Sequence, residues 1–164
     1  MEPIVEFDEW YRREHPRLAA SLYVVSGDLD AATDATDEAF ARALHRWSSV
    51  SKMASPTGWT YRVALNVLRR RKRRARFERQ VVREVGSTAD PVLPDHELWE
   101  AVGRLPRRQR TAIVLRYVAD LPEADIATAM GIARGTVAAT LSAARRRLEA
   151  DLRRELVVEE ILDD

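Results

Sequence analysis

The stretch that decides the fold is PEADIATAMGIARGTVAATLSAARRRL, residues 122–148. Within it, Ala127, Gly131 and Val137 follow the spacing A-x3-G-x5-V. A small residue lets two helices cross closely, a glycine suits the left-handed turn between them, and the valine anchors the second helix. The spacing predicts a helix-turn-helix whose second helix turns its N-terminal part towards a DNA major groove. An ordinary helical hairpin with a glycine turn is the alternative at this point.

Helical periodicity of apolar residues covers most of the remaining chain, and the period-two alternation of strands is nearly absent. Gly27-Asp28-Leu29-Asp30 indicates a break followed by an N-cap. The residues VGSTADPVLP, 85–94, are typical of a linker. We expect helices over 31–47, from Trp59 after a loop at 48–58, and over 98–105, 109–118, 123–130 and 134–156.

The predicted fold is therefore all-α, with two small helical domains joined by a flexible linker and a helix-turn-helix in the second domain. The expected boundaries are 1–84 for the first domain, 85–95 for the linker, 96–155 for the second domain and 156–164 for an acidic tail.

Charge is distributed unevenly along the chain. The 164 residues hold 27 Lys and Arg against 26 Asp and Glu, a net charge of +1. Residues 1–68 (7 basic, 10 acidic) sum to −3, residues 69–83 (9 basic, 1 acidic) to +8, and residues 84–164 (11 basic, 15 acidic) to −4. Seven of the eight residues 69–76 are basic, so the charge covers every face of a helix. Such density favours contact with a polyanion, and a solvated helix end is the alternative.

Aromatic and amide side chains precede the basic run. Trp59, Tyr61 and Asn66 are suited to stacking on or bonding to unpaired bases, although either aromatic residue alone is more often part of a core. A third pattern places Asp34, Asp37, Glu38 and Arg42 along one helical stripe. This stripe indicates either a solvated face or a protein-binding surface.

Several classes of function lack support in the sequence. The absence of cysteine excludes disulfides, thiolate metal sites and cysteine nucleophiles. His15, His45 and His96 are scattered, and no catalytic, metal-binding or phosphate-binding pattern is present. There is also no apparent signal peptide and no apolar run of membrane-spanning length. We therefore expect a non-enzymatic cytoplasmic protein that needs no cofactor or metal and does not insert into a membrane.

Three segments, in this order, resemble the extracytoplasmic-function (ECF) sigma factors of the sigma-70 family. DATDEAFARA, Asp34–Ala43, is similar to the family's segment for binding RNA polymerase core. SPTGWTYRVALNVLRRRKRR, Ser55–Arg74, resembles its −10 segment with the pattern P-x-x-W-x-Y-R-[IV]-A-x-N. LPRRQRTAIVLRYVADLPEADIATAMGIARGTV, Leu105–Val137, resembles its −35 domain. The similarity covers about residues 7–152 and is nearest to actinobacterial members.

The resemblance implies a function in promoter-specific initiation of transcription. The first domain would bind the β′ coiled coil of the polymerase and hold the −10 element as single strand, and the second would dock on the β flap and read the −35 element as duplex. Many members are also held by an anti-sigma factor, a further candidate partner. The implied core-binding residues are Asp34, Asp37, Glu38, Phe40, Arg42 and Ala43. The implied −10 residues are Trp59, Tyr61, Arg62, Asn66, Arg69, Arg70, Arg73 and Arg74. The implied −35 residues are Arg134, Gly135, Thr136, Ala138, Ala139, Thr140 and Arg145.

The sequence departs from the family pattern where specificity is read. Ala138, Ala139 and Ala143 stand where polar or basic residues are common, and Leu65 stands where arginine is frequent. These changes would alter which promoter is read more than whether one is read. A stand-alone helix-turn-helix regulator, which would be a dimer on a palindromic site, and a protein-binding module with an acidic partner are the alternative functions.

Overall fold

A computed structural model describes the backbone of residues 3–81 and 96–162 and the side chains within 6–75 and 97–154. Over these residues all regular secondary structure is helical, which confirms the all-α prediction. The first region contains α1 (Pro3–Ser26), α2 (Leu29–His45), α3 (Trp47–Val50) and α4 (Pro56–Val81). The second contains α5 (His96–Arg104), α6 (Arg107–Tyr117), α7 (Glu123–Met130) and α8 (Arg134–Leu162). The predicted linker lies outside the described residues.

The first region is organised around aromatic side chains at one end of α1 and α2. Phe7, Trp10, Phe40 and Trp47 are buried, with neighbouring ring centroids 4.9–5.6 Å apart. Tilted and edge-on arrangements of this kind add to the free energy gained by burying the rings. This cluster fixes α2 against α1, α2 also packs against α4, and the acidic side of α2 stays exposed.

The start of α2 follows the predicted break and cap. Gly27 adopts φ +67°, and Asp28 Oδ1 accepts a hydrogen bond from the Ala31 amide at 2.9 Å. This bond satisfies one of the free amides of the first turn. The helix ends at His45, earlier than expected, and the predicted loop holds the short helix α3. Helix α4 begins at Pro56, where a proline is tolerated because first-turn amides have no partner within the helix.

The second region contains the predicted helix-turn-helix. Gly131 has φ +66° and ψ +40°, the left-handed conformation expected at this turn. Ile126, Val137 and Leu141 are at most 1% exposed and form its small core. Ala127, which the spacing placed at the helix crossing, is only half-buried, and Ala129 is the more buried alanine of α7.

Helix α8 is longer than predicted. Its backbone runs without interruption from Arg134 to Leu162 and therefore includes most of the expected acidic tail. The side chains beyond residue 154 lie outside the described part of the chain.

Candidate functional site

The exposed face of α4 carries most of the predicted −10 residues. Their side chains lie on the solvent side because the buried positions of the helix, among them Ala64, Val67 and Leu68, face the core of the first region. Asn66 accepts a hydrogen bond from Arg69 at 3.4 Å. The exposed members are Arg62, Asn66, Arg69, Arg70, Arg73 and Arg74.

Two cations of the basic run are bound within the first region. Arg71 donates to and forms an ion pair with Asp34 of α2, and Lys72 Nζ donates to the Ser26 carbonyl at 3.1 Å. Burial, followed by the charges of Arg107 and Arg110, lowers the pKa of Lys72, while Asp28 opposes this shift. Burial and the nearby charges of Arg107 and Arg73 also lower the pKa of Arg69. The remaining arginines present the larger share of the positive surface.

The two aromatic candidates occupy different environments. Trp59 is half-buried against the core, so part of its ring is accessible. Tyr61 is 1% exposed, and burial is the main reason that its pKa is raised. A base cannot stack on Tyr61 in this conformation, so its assignment to the −10 site does not fit the structure. The alternative interpretation, in which Tyr61 is a core residue, does fit the structure.

The predicted −35 residues lie on the outer face of α8, opposite its buried anchors. Val137, Leu141 and Ala144 point into the core at helical spacing, which turns the intervening residues outwards. Thr140 is half-exposed and donates back to the Thr136 carbonyl at 2.7 Å. The exposed members are Arg134, Gly135, Thr136, Ala138, Ala139 and Arg145.

Two of these arginines already have partners. Arg134 Nε lies 3.7 Å from a carboxylate oxygen of Glu123, an exposed and therefore weak ion pair. Arg145 Nε donates to the Tyr117 hydroxyl at 2.8 Å, and its guanidinium lies 5.8 Å from the centre of that ring. Tyr117 was not among the predicted site residues; it is 60% exposed and orients Arg145 from helix α6.

The predicted acidic stripe is an exposed surface of α2. Asp37 Oδ1 lies 3.0 Å from His15 Nε2, and Glu38 pairs with Arg42 at 2.7 Å. Asp34 pairs with Arg71, so the stripe continues onto the basic helix. Solvent screens such pairs strongly, and they are readily exchanged for those of a partner.

Three residues of α2 differ from expectation. Phe40 and Ala43 are 3% and 0% exposed, so they support the surface from inside and do not reach a partner in this conformation. Helical periodicity predicts Leu44 on the apolar side of α2 with Phe40 and Ala43, but it is 52% exposed. The helix turns about 100° per residue, which places Leu44 beside Asp37 at the edge of the stripe.

In the described residues, no group of three or more His, Asp or Glu side chains is arranged to hold a metal ion. Likewise, none of the helices that the structure describes is long and apolar enough to cross a membrane.

An exposed basic helix and a helix-turn-helix on one all-α chain define a DNA-binding helical protein. Family models identify it further: sigma-70 region 2 matches residues 10–78, and sigma-70 region 4 matches residues 95–148. The ECF RNA polymerase sigma factor SigM of Mycobacterium tuberculosis is 31% identical over 146 residues, 87% of this chain and 74% of the relative. SigW of Bacillus subtilis is 29% identical over 150 residues, 80% of each chain. The chain belongs to the ECF family of RNA polymerase sigma factors, which confirms the predicted resemblance.

Solved structures show the same fold. The sigma factor RpoE, in complex with the anti-sigma factor NepR from Bartonella quintana, matches with a TM-score of 0.76 and 23% identity over 90% of this chain and 97% of the other. CnrH, in complex with the cytosolic domain of CnrY, matches at 0.62 and 22% over 90% and 88%. On the family models and the relatives given above, the protein is an RNA polymerase sigma factor that directs promoter-specific initiation, and the stand-alone regulator is not favoured.

Proposed function

We propose that the two helical regions divide promoter recognition between them, with the −10 element on α4 and the −35 element on the start of α8. The observation that carries this division is the exposure of two separate sets of DNA-compatible side chains. On α4, Arg70 and Arg73 would neutralise phosphates while Trp59 and Asn66 contact separated bases. On α8, Arg134 and Thr136 would contact base edges of duplex DNA.

Polymerase core would bind the exposed stripe of α2. Asp37, Glu38 and Arg42 provide charged groups whose present partners are screened by solvent, and Leu44 adds an apolar contact at the edge. Acidic groups close to DNA would be repelled by phosphate, so this face is suited to protein. In this proposal the β′ coiled coil contacts α2 and the β flap contacts the second region.

The proposed protein has no catalytic activity of its own and acts in the cytoplasm, where bacterial transcription takes place. The domain limits proposed for these roles are 1–84 and 96–155. An anti-sigma factor is a third proposed partner, since the sigma factor RpoE, whose fold is similar, was solved in complex with the anti-sigma factor NepR.

The test is transcription in vitro with bacterial core polymerase on a library of promoters randomised at both elements. The wild-type chain is expected to select one −10 and one −35 sequence. A variant with Asp37→Ala, Glu38→Ala and Leu44→Ala should lose core binding in a pull-down but retain binding to a selected −35 duplex. A matched variant with Arg134→Ala and Thr136→Ala should retain core binding in the pull-down but lose binding to the selected −35 duplex. Failure of the wild-type chain to bind core, or equal loss of both activities in both variants, would contradict the proposal.

A further inference from the structure

Helices α6 and α8 bring an exposed tyrosine and an exposed arginine together on the surface of the second region. Arg145 Nε donates a hydrogen bond to the Tyr117 hydroxyl at 2.8 Å, and the Arg145 guanidinium lies 5.8 Å from the centre of the tyrosine ring. Aromatic residues stabilise a fold mainly through the area that they bury. Since Tyr117 is 60% exposed, the folding of the second region gains little from its ring.

The hydrogen bond decides which groups of the pair remain free. Arg145 uses Nε for the tyrosine, so the N–H groups of its two terminal nitrogens are still available. The Tyr117 oxygen accepts this bond, and its own O–H can therefore donate to a third group. The free groups on both side chains are hydrogen-bond donors, which suits them to an anionic oxygen acceptor such as phosphate.

The charges around Arg145 also favour an anion. Glu149, one turn further along α8, pairs with Arg153 at 2.5 Å and is thus engaged away from Arg145. The two residues that follow Arg145 are Arg146 and Arg147, and both are exposed. Three consecutive exposed arginines give this part of α8 a positive potential that attracts phosphate.

The position of Arg145 along α8 indicates which part of a DNA duplex it can meet. Arg145 comes eleven residues after Arg134, which is about 16 Å along the helix and about three full turns. The two arginines therefore lie on nearly the same side of α8. A major groove is about 12 Å wide. When the N-terminal part of α8 lies in the groove, Arg145 lies beyond the edge of the groove, beside the phosphates.

We propose that Tyr117 and Arg145 together bind one phosphate of the duplex at the edge of the −35 element, with Tyr117 positioning the guanidinium. The proposal rests on the proposed −35 role of α8 and adds to it a residue from α6. The pair contributes affinity and no base discrimination, because the phosphates are the same at every base pair. Arg145 thus differs in role from Arg134 and Thr136, which contact base edges.

The test measures promoter binding by holoenzymes that carry Tyr117→Phe, Arg145→Gln or both, using the fluorescence anisotropy of a labelled promoter. Tyr117→Phe keeps the ring and removes only the hydroxyl, so affinity should fall about two- to tenfold. The fall should be equal on the selected promoter and on one with a substituted −35 base pair. Arg145→Gln should also reduce the log–log salt slope by about 1. The combined loss should be smaller than the product of the single losses, since the tyrosine then has no guanidinium to orient.

Two matched variants provide the controls. Arg147→Gln removes the same charge from an exposed position that lies on another side of α8, and it should change the salt slope less than Arg145→Gln. Tyr23→Phe removes a hydroxyl from α1, and it should leave promoter affinity unchanged.

The proposal is overturned if Tyr117→Phe binds the promoter as well as the wild type, or if its loss of affinity depends on the −35 base pair. Equal changes of slope in Arg145→Gln and Arg147→Gln would also overturn it, because the general charge of α8 would then account for the effect. A loss of helical content in Tyr117→Phe, measured by circular dichroism, would show that the hydroxyl serves the fold and would count against the proposal. A wild-type holoenzyme that selects no −35 sequence would contradict the proposed role of α8 itself, and the phosphate site with it.

Discussion

At the residue scale, the turn of the helix-turn-helix depends on the backbone of Gly131. Its φ of +66° lies in the region that side chains disfavour, but a Cβ there would make only ordinary contacts with Arg62. Gly131→Ala should therefore lower the free energy of unfolding by about 1–2 kcal/mol, through backbone strain and not through a clash. Denaturant unfolding followed by circular dichroism measures this loss.

Gly103 provides the matched control for that substitution. It lies inside α5, and a Cβ on it would meet nothing within 4 Å. Gly103→Ala should raise the free energy of unfolding by up to about 1 kcal/mol, because alanine favours the helix. Equal effects of the two substitutions would show that the left-handed conformation is not the source of the cost.

Single residues also show where prediction from sequence reached its limit. The A-x3-G-x5-V spacing identified the helix-turn-helix because each position has a local steric requirement, and Gly131 and Val137 meet it. The exposure of Tyr61 and Leu44 was not predictable, because packing between helices distant in sequence decides it; the role of Tyr61 at the −10 site stays a prediction. Tyr61 lies in the core, and Leu44 lies on the surface beside Asp37. A one-dimensional pattern does not determine which face of a helix a distant neighbour covers.

At the element scale, helix boundaries set by nearby residues were predictable from the sequence, and boundaries set by distant contacts were not. The cap at Asp28 and the extent of α7 were predictable because they depend on nearby residues. The early end of α2 and the short α3 were not, because the aromatic cluster around Trp47 stabilises them through tertiary contacts. The Arg71–Asp34 pair, which joins α4 to α2, is likewise invisible to periodicity.

The basic run of α4 gives a prediction for this element. Replacing Arg70 and Arg73 with glutamine removes two exposed charges from α4. If both contact phosphates, the log–log slope of promoter affinity against salt should decrease in magnitude by about 1–2, with core binding retained. Filter binding of the holoenzyme over a salt series measures the slope. The control variant Arg12→Gln with Arg46→Gln removes the same charge from exposed positions outside α4, and a similar decrease there would refute phosphate contact by α4.

At the scale of the whole molecule, the near-neutral total charge hides a local repulsion between positively charged residues of the two regions. Arg107 at the start of α6 contributes to lowering the pKa of both Arg69 and Lys72 on α4. Like charges are thus brought together by the same contact that holds the regions side by side. Packing of α4 against α7, where a Cβ on Gly58 would lie 3.0 Å from Thr128 Cβ, must stabilise the contact between the regions against this repulsion, which salt weakens.

The fraction of molecules in which α4 contacts α7 is therefore expected to rise with ionic strength. A chain with Ser55→Cys and Thr128→Cys has one thiol on each side of this contact, and a glutathione redox buffer measures the effective concentration of the pair. This effective concentration should increase as salt is raised from about 0.01 M to about 1 M, because the Debye length falls from about 30 Å to about 3 Å. Adding Arg107→Gln should raise the effective concentration at low salt and make it depend less on the salt concentration. Adding Arg108→Gln, an equal charge change one residue further on, should flatten it less because the neighbouring side chain leaves α6 in a different direction. An effective concentration that falls with salt would mean that attraction between charges, and not packing, holds the two regions together.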